Sequence, residues 1–63
     1  MNKDIRHDLI EQANAGSIAA QYNLAVMYTQ GMGGDPDHEQ AFHWFTKAAE
    51  QGYDMAQYNL GVM

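Results

Sequence analysis

The apolar residues of this chain fall into stripes of helical period. Within "DHEQAFHWFTKAAEQG", Ala41, Trp44, Phe45, Ala48 and Ala49 recur at i, i+3, i+4, i+7 and i+8, which is one face of a 3.6-residue helix. From Ser17 to Gln30, Ala20, Leu24, Met27 and Tyr28 make a second stripe. Asp37, with Gln40 three residues on, stands in a capping-box relation ahead of the Trp44 helix, and Gly52 is placed to close it. Gly31 closes the preceding helix, and Asp54 with Gln57 repeats the cap-plus-three spacing at the following one. "GMGGDPD" reads as the loop between helices, with glycines for unusual dihedrals and a proline before a cap. The pattern predicts helices over about 18–30 and 38–51 joined by a loop at 31–36. It adds a first helix over roughly Asp4–Ala15 and a fourth within 53–63.

One phrase occurs twice: "AQYNLAVM" at 20–27 and "AQYNLGVM" at 56–63, an offset of 56 − 20 = 36. At that offset 11–27 and 47–63 share nine identities in seventeen, including Ala13/Ala49, Gly16/Gly52, Gln21/Gln57, Tyr22/Tyr58 and Asn23/Asn59. A period of this size belongs to helix-turn-helix solenoids, in which each repeat buries its apolar face on the next. The fold class expected is therefore all-α, a helix-turn-helix repeat solenoid of about 1.75 repeats (63/36). Residues 16–52 form one complete repeat and 53–63 the first helix of a second, incomplete one.

The first helix is a weaker copy of the Trp44 helix. Ile5, Leu9 and Ala13 align with Ala41, Phe45 and Ala49, but Asp8 falls on Trp44 and Gln12 on Ala48. Half the stripe is apolar and half polar, as suits a terminal helix with a neighbour on one side and water on the other. Residues 1–15 are therefore read as an N-terminal capping helix; the alternative is a diverged repeat with no capping role. At the other end Tyr58, Leu60, Val62 and Met63 stay as apolar as the internal copy, with no Gly, Pro or basic last turn to close the helix. Solenoids usually need three or more repeats. The expectation is that residue 63 is a cut in a longer array or an edge that another chain covers.

These residues resemble the Sel-one-like repeat family, a subgroup of tetratricopeptide-like solenoids. Ala20, Leu24, Tyr28, Gly31, Gly33, Asp37, Ala41, Trp44, Phe45, Ala48, Ala49 and Gly52 occupy the family's positions, and Ala56, Leu60 and Gly61 restart the motif. The resemblance covers 16–63 well and 4–15 loosely. Two positions depart from it. Ala25 stands where the family has Gly, which asks for more room between helices. Gly34 stands where the loop has an apolar residue such as Val, so the 31–36 loop is expected to be looser than in the family.

Composition narrows the function. Eight acidic against three basic side chains give a net charge of −5, which argues against nucleic acid and against anionic membrane surfaces. No stretch is apolar enough for a secretory signal or a bilayer span. With Met1 as the native start, the expected location is cytoplasmic. There is no cysteine, so disulfides and thiolate metal sites are excluded.

Candidate chemistry is sparse. "HEQAFH" has the histidines of a zinc-protease motif one residue too far apart: His38 and His43 lie about 140° apart around a helix and share no ligand face. His7 reads as a solvated residue. Asp35, Asp37 and Glu39 alternate as at the start of a calcium loop, but Gln40 and Thr46 stand where that loop needs Gly and Glu. "GMGG" has no preceding strand and no following Gly-Lys-Ser/Thr, and Ser17 has no lysine three residues on. Met27, Met32, Met55 and Met63 read as core and edge filler. The expectation is no enzyme, no cofactor and no metal.

What the resemblance implies is a protein–protein interaction scaffold or adaptor with a protein or peptide partner. The residues off the packing stripe of each repeat's first helix are the candidates to touch it: Tyr22, Asn23, Val26 and Thr29, with Tyr58, Asn59 and Val62 in the second copy. Asparagine can hydrogen-bond an extended backbone, and tyrosine offers area with a polar tip. The alternative for Tyr22 and Val26 is packing inside the next helix pair. Two other readings stand beside the scaffold. One is a self-associating fragment, stacked end to end or domain-swapped through the C-terminal helix. The other, less favoured, is an enzyme or enzyme-regulatory domain.

Overall fold

The computed structural model describes residues 5–62, apart from the side chain of Ile5. They form four α-helices: α1 (Ile5–Asn14), α2 (Ile18–Gln30), α3 (His38–Glu50) and α4 (Asp54–Val62). Among the described residues there is no strand. Each helix packs on the next along the chain, α1 on α2, α2 on α3 and α3 on α4. This serial packing is the all-α solenoid expected from the 36-residue period.

Local signals set the helix starts. Ser17 caps α2, its hydroxyl accepting from the Ala20 N–H at 3.2 Å. Asp37 caps α3, its carboxylate accepting from the Gln40 N–H at 3.1 Å. At α4 the Ala56 and Gln57 N–H groups both donate to the Tyr53 carbonyl, at 3.1 and 3.2 Å. Tyr53 thus holds the place that Ser17 holds one repeat earlier, and Asp54 lies inside the first turn. The expected cap at Asp54 is corrected by one residue. Tyr53 packs its ring edge-on against Tyr22 at 5.1 Å and so fixes where the chain enters α4, while the Asp54 carboxylate sits where the helix dipole favours negative charge.

Gly31 closes α2 in the left-handed conformation, φ 74° and ψ 23°, with its N–H on the Met27 carbonyl. The Met32 N–H reaches the same carbonyl at 2.9 Å, and the Asp37 N–H donates to the Tyr28 carbonyl at 2.9 Å. The 31–36 loop is thereby folded onto the end of α2. A looser loop was expected at Gly34, but the absent apolar anchor is replaced by a cation from α1. Arg6 donates from Nε to the Met32 carbonyl and from Nη2 to the Asp35 carbonyl, both at 3.0 Å. Its guanidinium carbon lies 4.2 Å from the centre of the Tyr28 ring.

The core lies along the α2–α3 seam. Leu24, Ala25, Ala41, Ala48 and Ala56 are wholly buried, with Trp44 and Phe45 nearly so. The alanines let helix backbones approach, and the two aromatic rings fill the remaining space. The indole Nε1 of Trp44 is buried without a hydrogen-bond partner among the described residues. Leaving it so costs about 1–3 kcal/mol, set against burial of the largest side chain in the molecule. Tyr28 and Ala49, placed on the stripes by spacing, are half-buried. In α1, Ala13 is buried and Leu9 and Ile10 pack on the core, while Gln12 is exposed. Of the methionines, Met27 is buried, Met32 and Met55 are half exposed, and Met63 lies outside the described residues.

Candidate functional site

The first helix of each repeat, α2 and then α4, carries all seven predicted contact residues, and the structure divides them. Tyr22 is half-buried, its ring edge-on to Phe45 at 5.6 Å and to Tyr53 at 5.1 Å. Its hydroxyl accepts from Asn59 Nδ2 at 3.1 Å. Val26 is likewise half-buried against the core. Asn23 and Thr29 are exposed, with the Thr29 hydroxyl donating to the Ala25 carbonyl one turn back at 2.9 Å. On α4, Asn59 is half-buried and also donates to the Met55 carbonyl at 3.0 Å. Tyr58 and Val62 are 73% and 67% exposed. Asn23, Thr29, Tyr58 and Val62 therefore present side chains to solvent, while Tyr22, Val26 and Asn59 join α2 to the helices that follow.

Sequence reasoning missed the glutamines. Gln21 is buried; its Nε2 donates to the Ala13 carbonyl at 3.0 Å, and its Oε1 accepts from Gln51 Nε2 at 3.0 Å. Gln51 also donates to the Gly16 carbonyl at 3.2 Å. One repeat later Gln57 Nε2 donates to the Ala49 carbonyl at 3.3 Å. Since 57 − 21 and 49 − 13 both equal 36, the two bonds are the same bond. Each adds a side-chain donor to a carbonyl in the last turn of the preceding helix that already accepts from a closing backbone N–H, of Gly16 or Gly52. The recurrence of Gln in "AQYN" was the available signal.

Among the described residues the histidines and acidic residues lie in separate local contacts. His7 Nε2 lies 3.2 Å from Glu11 Oε2 on the exposed face of α1. His38 and His43 are exposed, the ring of His43 edge-on to Trp44 at 4.8 Å. Asp37 is engaged in its cap and the Asp35 carbonyl in the Arg6 contact. Among the described residues no group of three or more His, Asp or Glu side chains is placed to hold a metal ion, and no helix is long and apolar enough to cross a membrane.

The comparisons with known proteins follow this division into repeats. The Sel1 repeat family matches residues 18–53 and again 54–63, splitting the chain at the Tyr53–Asp54 junction where α4 begins. A protein of Acanthamoeba polyphaga mimivirus named for sel1-like repeats, L21, is 41% identical over 51 residues. That alignment covers 81% of this chain and 10% of the viral protein, so the chain spans a small part of that relative's length. No solved structure matches. With serial helix pairs, a 36-residue period and a family match over most of its length, this chain belongs to the Sel1 repeat family.

Proposed function

We propose that this chain serves as part of a protein–protein interaction scaffold, binding a protein or peptide partner and carrying no catalysis of its own. Membership of a repeat family that commonly mediates protein–protein contacts supports the general role. The observation that carries the reading to particular residues is the exposure of Asn23 on α2 and of Tyr58 and Val62 on α4. The three residues combine amide, phenol and apolar groups on the first helices of successive repeats, a mixture suited to a peptide backbone and its side chains. Of the other candidates, Tyr22, Val26 and Asn59 are half-buried and Thr29 is exposed on α2.

Selection of binders from a random peptide display library tests the reading, with binding mapped by amide chemical shifts. Selected peptides are expected to shift Asn23, Tyr58 and Val62, and Asn23→Ala with Tyr58→Ala should weaken them at least about tenfold. Peptides that map instead to α3, around the exposed Gln40 and Lys47, would overturn it.

A second reading, self-association through α4, is favoured by the same exposure of Tyr58 and Val62. Their counterparts Tyr22 and Val26 are packed. Sedimentation over a wide concentration range decides it: a mass equal to the monomer throughout dismisses it.

A further inference from the structure

The seam between α2 and α3 has a second, open copy on α4. Gln57 bonds the Ala49 carbonyl of α3 as Gln21 bonds the Ala13 carbonyl of α1, so α3 stands to α4 as α1 stands to α2. Among the described residues no helix lies on α4 as α3 lies on α2. The consequence shows position by position at the 36-residue offset. Leu24 and Ala25 are wholly buried, and Tyr22 packs edge-on to Phe45 of α3 at 5.6 Å. Leu60 is half-buried, Gly61 is exposed and Tyr58 is 73% exposed.

The polar contacts repeat in the same way. Gln51, at the end of α3, donates from Nε2 to the Gly16 carbonyl at 3.2 Å and to Gln21 Oε1 at 3.0 Å. The counterparts of these two acceptors (52 − 16 and 57 − 21 both equal 36) are the Gly52 carbonyl and Gln57 Oε1, both on exposed residues. They are set as in the first repeat. Gly16 and Gly52 both take a positive φ, 103° and 91°, and the Gln57 amide is held through its Nε2 by the Ala49 carbonyl at 3.3 Å. A β-carbon at Gly52 would meet nothing within 4 Å, so the pair opens on free space. The molecule thus holds the same apolar wall and the same pair of amide acceptors twice, once covered by α3 and once uncovered.

We propose that this side of α4 is a docking site for a helix of a different protein that carries the pattern of α3, W-F-x-x-A-A-x-Q as at Trp44–Gln51. The aromatic pair covers Tyr58 and Leu60, the alanines let the two backbones approach over Gly61, and the glutamine amide donates to the Gly52 carbonyl and Gln57 Oε1. A second copy of this chain does not fit. Its α1 has Asp8 and Gln12 where α3 has Trp44 and Ala48, which would bury a carboxylate against Leu60 without a partner. Its α3 is already buried against its own α2 and α4. The proposal rests on the reading that α4 meets a protein partner, identifies that partner as a helix, and does not involve Asn23.

The test titrates the intact chain with a peptide of residues 37–52, held helical by a lactam between Glu39 and a His43→Lys substitution. Both positions are exposed and one turn apart, and the bridge removes the cost of ordering a short helix. Saturable amide shifts are expected at Gly52, Gln57, Tyr58, Leu60 and Gly61, with Leu24 and Ala25 unmoved. Trp44→Ala in the peptide should weaken binding at least about tenfold, and Gln51→Ala about threefold. A peptide of residues 5–16, bridged between a His7→Lys substitution and Glu11, should not bind. In the chain, Gly61→Gln should fold, since a β-carbon there meets nothing within 4 Å, and should weaken binding at least about tenfold by overfilling the seam. Gly61→Ala should bind as the parent does, because Ala25 takes the same place in the covered seam. No saturable shifts, shifts centred on Leu24 and Ala25, equal binding of the 5–16 peptide, or unchanged binding in Gly61→Gln would each overturn the proposal. Asn23→Ala separates it from the scaffold surface: the 37–52 peptide should bind that variant unchanged, and a loss of affinity there overturns the separate site. If library peptides shift Tyr58 and Val62 while the 37–52 peptide does not bind, this proposal falls and the scaffold reading stands.

Discussion

α2 and α4 spell nearly the same phrase and lie in different surroundings. Leu24 is wholly buried while Leu60 is half-buried, and Tyr22 is wedged between Phe45 and Tyr53 while Tyr58 is 73% exposed. Ala25 is buried, whereas a β-carbon on Gly61 would meet nothing within 4 Å. The difference is in the neighbours. α2 has α1 on one side and α3 on the other; α4 packs mainly on α3 and touches α2 through Asn59 and Tyr22. Identical sequence thus supplies identical local geometry, and burial is conferred by the next element along. In a solenoid a residue's role as core or contact surface depends on its position in the array.

The wall that makes α2 a core helix is Trp44 with Phe45. Replacing Trp44 by Ala should remove about 3–5 kcal/mol, a large part of the total stability of a small domain. Thermal unfolding followed by circular dichroism is expected to show loss of the cooperative transition. A retained transition of similar midpoint would mean that the α2–α3 seam is not the core, and the contrast between the copies would lose its basis.

The next test sets the copies against each other directly. Leu24→Ala should cost about 2–5 kcal/mol and Leu60→Ala about 1 kcal/mol, read from denaturant midpoints at constant m-value. Equal costs would show that α4 is covered in solution.

Much of this architecture was legible beforehand. The stripes around Leu24 and Trp44, the Asp37 cap, the Gly31 stop and the 36-residue offset all depend on residues close in sequence or repeated in it. Periodicity and turn chemistry read such features well. The cap of α4 was misread because Asp54 is a good capping residue and Tyr53 a poor one. The deciding factor was the tertiary contact of Tyr53 with Tyr22, which no local rule contains. The Arg6 clamp was invisible for a similar reason: the substitution at Gly34 was evident, but its compensation comes from 28 residues earlier (34 − 6). Of the proposed contact residues, the sequence raised packing inside the next helix pair as the alternative for Tyr22 and Val26, and the structure takes that alternative, but spacing alone could not choose it. That choice depends on which side of α2 the α3–α4 pair occupies.

The glutamines give a smaller and sharper contrast. Gln21→Ala removes a buried bond to the Ala13 carbonyl, which keeps the Gly16 N–H, and one from the Gln51 amide, which keeps the Gly16 carbonyl, and should cost about 0.5–1.5 kcal/mol. Gln57→Ala breaks the same bond to the Ala49 carbonyl at an exposed site, where water replaces the lost donor, and should cost under about 0.5 kcal/mol. Amide exchange in the last turns of α1 and α3 separates the two: faster exchange around Ala15 and Gly16 in the first variant, little change around Gln51 and Gly52 in the second. Similar acceleration in both would mean that Gln57 is as well shielded as Gln21.

The smallest effect concerns the one letter that differs between the two phrases. Gly61→Ala introduces a methyl into open space near the end of a helix, where alanine is the better helix former. The full interior preference is about 1 kcal/mol, and one turn from the terminus a few tenths remain. The variant should therefore be slightly more stable than the parent, with the gain visible as a small rise in midpoint. Ala25→Gly should move the other way by more, because it loses helix propensity and also opens a void in a fully buried contact. The sign at residue 61 is the informative part. A methyl there is favourable only while nothing packs on that face of α4. If Gly61→Ala lowers the midpoint, and lowers it more at high protein concentration, then a second copy approaches α4 closely enough to need the missing side chain. In that case the exposed Tyr58 and Val62 belong to a self-association interface rather than to a peptide-binding surface.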